Sequence, residues 1–361
     1  NAFNGKGVQK AIDNITGPIA QALLGKKVTD QREIDQIMID LDGTDKKSSL
    51  GANAILGVSM AVARAGAESE NVELFQYIRK MYNPTDEEWR DSVLFHNYSL
   101  PTPMFNVLNG GSHAFNSTDF QEFMVVPTGT YQGKFIQFDD MLLCGFEIYN
   151  ELKKILESKN LPSTVGDEGG FAPPGLTNSD PLELLMEATS KTRFKAGEDV
   201  VFALDVAASE FYNPDNNSYE LKSENRHVFS EELISMYEKL SKEFPIYSIE
   251  DGLAEDDWEG WKNMTSKIGN KIQLVGDDLF VTQKEFLKRG IEEKAGNSII
   301  IKLNQVGTVS ETIDTIVMAH ENNFSTIISH RSGETEDTFI ADLAVGTNSN
   351  QLKAGAPARG E

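Results

Sequence analysis

Four apolar runs in the second half of the chain each end on a charged residue. They are VVFALD, FPIYSIE, IQLVGD and SIIIK, which end at Asp205, Glu250, Asp277 and Lys302. A charge at the tip of a buried strand is costly unless it has a partner or a ligand. Three carboxylates and one lysine on successive strand ends therefore predict a metal site with a basic residue beside it.

The spacing of these strand ends indicates a repeated unit of strand and helix. A fifth run, FSTIISH, ends at His330, and the five ends are separated by 45, 27, 25 and 28 residues. Such intervals hold one strand, one helix and two loops, and strands rich in Val, Ile and Leu are typical of a parallel sheet. We therefore expect an α/β fold in which a (β/α)8 barrel gathers its active site at the carboxyl ends of the strands.

The first quarter of the chain has a different pattern. Helical periodicity covers residues 10–25, 29–43 and 48–67, whereas residues 81–97 are polar and aromatic without a clean period. The irregular segment predicts a loop between domains. We expect a mostly helical domain over residues 1–97 and a barrel domain over residues 98–361.

Charge and cysteine content narrow the classes of partner. The formal net charge of -23 disfavours nucleic acid and anionic membranes, so small molecules, cations or protein are the expected partners. Cys144 is the single cysteine, which excludes an internal disulfide framework and favours a reducing, cytoplasmic location. No apolar run approaches the roughly 20 residues that span a bilayer. Because the chain starts on Asn1 and stops abruptly, we expect a fragment of a longer polypeptide.

The donor types at the strand ends suit a particular metal. Asp205, Glu250 and Asp277 offer hard oxygen ligands without nearby Cys or His, which favours Mg²⁺ over Zn²⁺. Burial and a nearby cation would lower the pKa of Lys302 and fit it to accept a proton. A lysine that only neutralises the three carboxylates is an equally good interpretation.

Other acidic and basic residues carry weaker signals. Glu168 lies in VGDEGGFAPP, where glycines let a loop carry a carboxyl group to a substrate, although a plain turn explains the same residues. Asp251 and Asp278, each next to an expected ligand, are candidates for supporting or capping roles. Lys353 follows NSNQ, and by itself an exposed loop charge is the simpler interpretation.

The segment SHRSGET predicts an anion site. Arg331 offers a planar fork of donors, Ser332 a hydroxyl, and Gly333 exposed amides just before a helical stretch. Phosphate is the expected ligand of this segment. Near a strand-like PMFNVLN lie His113 and Glu122, and a lone histidine is more often structural than catalytic.

Two helix starts carry the signature of a capping box. Thr282 is followed three residues later by Glu285, and Thr308 by Glu311. In this motif the hydroxyl and the carboxylate satisfy amides of the first helical turn. We expect both threonines to cap helices.

Taken together, these motifs resemble those of the enolase family. The matching segments are GGSHA, QEFM, GDEGG, LDVAASEF, SIEDG, EDDW, GDDL, IIIKLNQVGT, SHRSGETEDTFIADL and KAGAPAR, which cover nearly the whole chain in the family's order. The resemblance implies a TIM-like barrel of the enolase type with a smaller N-terminal α+β domain. It also implies a cytoplasmic, homodimeric glycolytic lyase, phosphopyruvate hydratase, which converts 2-phosphoglycerate to phosphoenolpyruvate.

Residue roles follow from the same resemblance. It implies that Asp205, Glu250 and Asp277 hold Mg²⁺, that Lys302 accepts the proton alpha to the carboxylate, and that Glu168 donates a proton. A Lys base with Mg²⁺ stabilising an ene-diolate is the known pattern of this superfamily. Glu122 and His330 would complete the catalytic set. The implied substrate-binding residues are His113, Gln121, Glu122, Ser329, His330, Arg331, Ser332 and Lys353.

The chain departs from the family pattern in several places. Gly252 stands where proline is usual, Phe115 replaces a small residue, and residues 81–97 look longer than usual. We expect the family's N-terminal strands and glycine/serine loop, which completes a second Mg²⁺ site, to precede Asn1, and the end of the barrel to follow Glu361. The chain as given should then bind one Mg²⁺ and turn over weakly or not at all. A superfamily member acting on another carboxylate, and a non-catalytic protein on the same scaffold, are the competing interpretations.

Overall fold

The computed structural model describes residues 2–5, 7–83, 98–114, 117–128, 130–131, 134–135 and 137–358. Most of the predicted inter-domain loop, residues 84–97, lies outside these ranges, and so does Phe115. Among the described residues, no helix is long and apolar enough to cross a lipid bilayer.

Helices make up the regular structure before the barrel in the described residues. The first predicted helix is interrupted, because a π-helical turn at Ile15–Ile19 contains Pro18, which has no amide to donate. The helices of this part are α1 (Gln9–Asn14), α2 (Ala20–Leu23), α3 (Gln31–Asp42), α4 (Ala52–Glu70) and α5 (Leu74–Tyr82). They confirm the three predicted helical segments, and α5 was not predicted.

Eight strands then close into a barrel. The barrel strands are β1 (Thr102–Asn109), β2 (Glu122–Pro127), β3 (Val200–Asp205), β4 (Ile246–Glu250), β5 (Gln273–Gly276), β6 (Ser298–Ile301), β7 (Ser325–Ser329) and β8 (Gln351–Lys353). Around the barrel they follow the order β1, β8, β7, β6, β5, β4, β3, β2. The structure therefore confirms the predicted closed barrel.

One strand runs against the others. β2 is antiparallel to both β1 and β3, whereas the remaining neighbours are parallel. The prediction of a parallel sheet is wrong here because the connection from β1 holds only a 3-10 turn at Gly111–His113 in its described part, not a crossover helix. As a consequence Glu122, the first residue of β2, lies in register with Asp205, the last residue of β3.

Helices cover the outside of the barrel. They are α6 (Phe138–Ser158), α7 (Asp180–Ser190), α8 (Ser230–Glu243), α9 (Trp258–Ile268), α10 (Lys284–Glu293), α11 (Leu303–Val306), α12 (Val309–Glu321) and α13 (Phe339–Thr347). Small antiparallel sheets pair Thr130–Tyr131 with Lys134–Phe135, and join Tyr212–Asn213, Ser218–Leu221 and Arg226–Val228. A large apolar core lies between strands and helices, and a smaller one fills the barrel below its mouth. The inner core consists of Met104, Met124, Val126, Ala203, Val275, Ile300 and Ile327.

Of the two predicted helix caps, one is confirmed. Thr308 caps α12, and its hydroxyl accepts from the amide of Glu311 at 3.2 Å. Thr282 is not a cap, because α10 begins at Lys284 after an N-cap at Gln283 that makes no side-chain bond. The hydroxyl of Thr282 donates instead to Gln305 Oε1 at 2.6 Å.

Candidate active site

The predicted strand ends meet at one mouth of the barrel. Asp205 and Glu250 end β3 and β4 and are register partners. Asp277, Lys302 and His330 directly follow β5, β6 and β7. A cavity of about 410 Å³ opens at this mouth. Every predicted site residue except Glu250 lines it, namely His113, Gln121, Glu122, Glu168, Asp205, Asp277, Lys302, Ser329, His330, Arg331, Ser332 and Lys353.

Lys353 lies at the centre of the buried charges. Its ammonium is 3.0 Å from Asp205 Oδ2, 3.0 Å from Glu250 Oε2 and 3.1 Å from Glu122 Oε2. Only 3% of the residue is exposed, so the interpretation as an exposed loop charge is wrong. Burial acts to lower the pKa of Lys353, but the carboxylates, Asp205 first, outweigh it and raise the pKa well above its ordinary value.

Lys302 pairs with a different acid. Its ammonium donates to Asp277 Oδ2, while Asp277 Oδ1 accepts from the side-chain amide of Gln305 at 3.0 Å. Burial alone would lower the pKa of Lys302, as we expected from the sequence. The net pKa is raised, because the charges of Asp277 and Glu250 outweigh burial. Without a cation beside it, this lysine is therefore protonated and paired.

The carboxylates of the mouth repel one another. Burial and the charge of Asp205 raise the pKa of Glu250 to about 8, and burial raises that of Glu122 well above its usual range. Asp251 takes the supporting role expected for it, since its two oxygens accept from the amides of Asp277 at 3.0 Å and Asp278 at 2.8 Å. Carboxyl groups thus outnumber the two lysines, and the raised pKa values of Glu122 and Glu250 show that their charged forms are disfavoured.

A divalent cation fits this donor set. Carboxylate oxygens are the ligands that Mg²⁺ prefers, and a divalent cation would stabilise the charged forms of these crowded carboxyl groups. In the described residues, two sets bring three ligand atoms within 4.8 Å of one another: Asp251, Asp277 and Asp278, and His113, Glu122 and Glu168. The predicted ligands Asp205, Glu250 and Asp277 do not form one of these sets. Asp205 and Glu250 accept from the Lys353 ammonium, and Asp277 accepts from the Lys302 ammonium.

Glu168 faces the cavity from the glycine-rich loop. Its Oε2 accepts from the side-chain amide of Asn106 at 2.9 Å, and its Oε1 accepts from the Ser332 hydroxyl at 2.5 Å. His330 Nε2 lies 3.6 Å away. Burial acts to raise the pKa of Glu168, but His330, Lys353 and Ser332 hold it far below its usual range. In this arrangement Glu168 is a charged acceptor. It must gain a proton before it can act as a proton donor.

The segment expected to bind phosphate borders the same cavity. Ser329 is buried and donates to the carbonyl of His330 at 2.9 Å. Arg331 is exposed, and its Nη1 donates to Asn304 Oδ1 at 3.2 Å. The predicted helix contribution is wrong, since α13 begins at Phe339, six residues beyond Gly333. Side chains, not a helix terminus, supply the donors here.

The strand β1 side of the mouth carries the remaining predicted residues. His113 Nδ1 is 3.9 Å from Glu122 Oε1, and Gln121 Oε1 accepts from the Ser112 hydroxyl at 2.7 Å. Sequence reasoning missed the following residues of the cavity wall: Ser112, Ala207, Glu210 and Asn304. It also missed Asn106, although an asparagine inside the buried run PMFNVLN was a usable signal.

Two family models match this chain. One, described as "Enolase, C-terminal TIM barrel domain", matches residues 97–361. The other, described as "Enolase, N-terminal domain", matches residues 1–78. The chain belongs to the enolase family. Membership confirms the predicted enolase-type barrel and makes this an enzyme of the enolase superfamily, in the lyase class.

Proposed function

We propose that this enolase-family protein is a Mg²⁺-dependent hydro-lyase that interconverts 2-phosphoglycerate and phosphoenolpyruvate. One observation carries the proposal. A single cavity of about 410 Å³ is lined by a lysine paired with a carboxylate, by a second buried lysine, and by an exposed arginine beside two serines. These are the groups that removal of a proton next to a carboxylate and recognition of a phosphate require.

Proton removal is the difficult step. A hydrogen alpha to a carboxylate is a weak acid, because its loss puts a second negative charge on the same group. Lys302, in its neutral form, takes this proton, and Lys353 holds the substrate carboxylate. A Mg²⁺ ion held by Asp205, Glu250 and Asp277 would supply positive charge that offsets these carboxylates and stabilises the dianionic form of the substrate.

Loss of water completes the reaction. The electron pair of the broken C–H bond forms the double bond, and the neighbouring C–OH bond breaks. Glu168, which must carry a proton in the substrate complex, delivers it so that hydroxide leaves as water. Glu168 and Lys302 come from a loop and from a strand end, so they can act on different sides of the substrate. Asn106 and Ser332 direct the Glu168 carboxyl group into the cavity.

Substrate binding falls to the rest of the wall. Arg331, Ser332 and Ser329 take the phosphate, since guanidinium and hydroxyl donors suit its oxygens. The side chains that contact the remainder of the substrate are His113, Gln121, Glu122 and His330. Family membership also supports a cytoplasmic homodimer that acts in glycolysis and, in reverse, in gluconeogenesis. It supports a division into a domain over residues 1–97 and a barrel domain over residues 98–361.

Absorbance near 240 nm tests the proposal, because the conjugated double bond of the product absorbs there. The full-length protein with 2-phosphoglycerate should show a rise in absorbance with Mg²⁺ and none with a chelator. The same assay with an unphosphorylated 2-hydroxy acid should show no reaction. A full-length protein without a Mg²⁺-dependent signal would refute the proposed reaction.

A further inference from the structure

We propose that Thr282 and Gln305 are positioning residues that fix Lys302 and Asp277 relative to each other, an inference that rests on the proposed function of these two. Neither residue lines the cavity itself. Thr282 is fully buried, and Gln305 is partly buried on the short helix α11. They act on the reaction through Lys302, the proposed base, and through Asp277, the expected metal ligand.

The four residues form a closed ring of hydrogen bonds. The backbone amide of Lys302 donates to Thr282 Oγ1 at 2.9 Å, and the Thr282 hydroxyl donates to Gln305 Oε1 at 2.6 Å. Gln305 Nε2 then donates to Asp277 Oδ1 at 3.0 Å. Asp277 Oδ2 closes the ring by accepting from the Lys302 ammonium. The two paths of donation start at Lys302, one at its backbone amide and one at its ammonium, and both end on the Asp277 carboxylate.

The ring gives Gln305 a single useful orientation. An amide has an acceptor oxygen on one side and a donor nitrogen on the other. Because the Thr282 hydroxyl occupies the oxygen, the nitrogen faces Asp277. The reverse orientation would place an amide oxygen against a carboxylate oxygen. Thr282 thereby sets the direction of the amide, and the amide sets the plane of the Asp277 carboxylate.

The backbone reaches this arrangement in an unfavourable conformation. Val281 and Thr282 have φ values of 41° and 57°, and left-handed backbone is rare for β-branched residues. The amide of Val281 donates to the carbonyl of Asp277 at 2.7 Å, and the Thr315 hydroxyl donates to the carbonyl of Thr282 at 3.0 Å. Strained backbone that the surroundings hold in place is concentrated at functional sites. Thr282 does not cap α10, so helix capping does not account for it.

The consequence is a rigid distance between base and ligand. Groups that orient a metal ligand typically contribute about 10- to 100-fold to metal affinity or activity. Without the Thr282 hydroxyl the side-chain amide of Gln305 can rotate. The Asp277 carboxylate is then no longer held in one orientation. We expect binding of the substrate to survive and proton transfer to suffer.

Variants of Thr282 separate this role from a merely structural one. In the full-length protein, Thr282→Val should lower kcat by about 10- to 100-fold with little change in KM. With substrate deuterated at the alpha carbon, the isotope effect on kcat should rise above that of the wild type, because proton transfer becomes more limiting. Thr282→Ser, which keeps the hydroxyl, should restore both values. The control is Thr312→Val, which removes a buried hydroxyl that bonds to the Thr308 carbonyl outside the ring.

Calorimetry with MgCl₂ gives a readout that does not depend on turnover. Gln305→Leu and Thr282→Val should both weaken Mg²⁺ binding, whereas Thr312→Val should not. If the wild type does not dehydrate 2-phosphoglycerate, the proposed function fails and the Mg²⁺ affinities still decide the positioning role. Unchanged Mg²⁺ affinity in both ring variants overturns the inference. So does a loss of kcat that Thr282→Ser does not restore.

Discussion

Single residues at the barrel mouth carry opposite charges in close contact. Lys353 lies within 3.1 Å of three carboxylates, and Lys302 pairs with a fourth. The pKa of Glu250 is nevertheless raised to about 8 by burial and by Asp205, so the two lysines do not fully stabilise its charged form. A cation bound here would reduce the repulsion between the carboxylates that the fold brings together.

Asp205→Asn tests this balance of charge. The substitution keeps the shape of the side chain and removes one of the expected ligand charges. We expect Mg²⁺ binding, measured by calorimetry, to weaken at least about 10-fold, because ligand charge tunes affinity. Glu220→Gln, at an exposed position on Ser218–Leu221, is the matched control and should leave affinity unchanged. Equal affinities in the two variants would remove Asp205 from the ligand set.

Residue types and strand-end positions were predictable from sequence, but their pairing was not. The apolar runs alone place Asp205 and Lys302 at strand ends. Lys353 was assigned to a loop because only barrel closure brings β8 against Asp205, which lies 148 positions earlier. The sequence predicts a lowered pKa for Lys302 from burial and a nearby cation, but it does not show which acids surround the lysine. Charge partners between distant strands depend on closure.

At the scale of secondary structure, two glycines of α4 have different surroundings. A Cβ atom at Gly66 would lie 2.6 Å from the Tyr77 ring on α5, whereas a Cβ at Gly57 would meet no atom within 4 Å. Gly66 thus lets α4 and α5 approach closely. Gly57 only adds freedom to the unfolded chain.

These surroundings predict opposite effects of the same substitution. Gly57→Ala should stabilise the protein by about 0.5–1 kcal/mol, because alanine favours the helix. Gly66→Ala should destabilise it by about 1–3 kcal/mol, because the Tyr77 ring must move. Urea denaturation of both variants measures the two changes. Equal and small changes would mean that the two helices do not pack as closely as the structure indicates.

Element types were more predictable than element directions. The periodicity of residues 29–43 and the Thr308 cap are local signals, and both appear in the structure as α3 and the start of α12. The antiparallel direction of β2 depends on how the chain returns from β1. No local sequence pattern indicates that path. Thr282 carries the same capping signature as Thr308, but its hydroxyl is taken by Lys302 and Gln305.

At the scale of the whole molecule, a buried carboxylate joins the N-terminal helices to the barrel. Asp35 on α3 is 1% exposed, and its Oδ2 accepts from the backbone amide of Ser310 at 3.0 Å and from the Ser310 hydroxyl at 2.6 Å. Its Oδ1 accepts from Gln31 at 3.1 Å. Ser310 belongs to the first turn of α12, where a negative charge also complements the helix dipole.

Asp35→Ala should therefore weaken the union of the two parts. It leaves the buried amide and hydroxyl of Ser310 without the acceptor they share, and an unsatisfied buried group costs about 1–3 kcal/mol. We expect one unfolding transition in the wild type, and a lower urea midpoint with two transitions in Asp35→Ala. Asp40→Ala, at an exposed position of α3, is the control. An unchanged midpoint for Asp35→Ala would show that this contact does not join the parts.

Exchange of the alpha hydrogen tests the central claim most directly. In D₂O with Mg²⁺, the full-length wild type should introduce deuterium at the alpha carbon of 2-phosphoglycerate, followed by NMR. Lys302→Ala should slow this exchange by about 100- to 10,000-fold and still bind Mg²⁺ in calorimetry, while Lys191→Ala, an exposed lysine after α7, should exchange normally. Exchange that persists in Lys302→Ala, or that is absent from the wild type, would contradict the account.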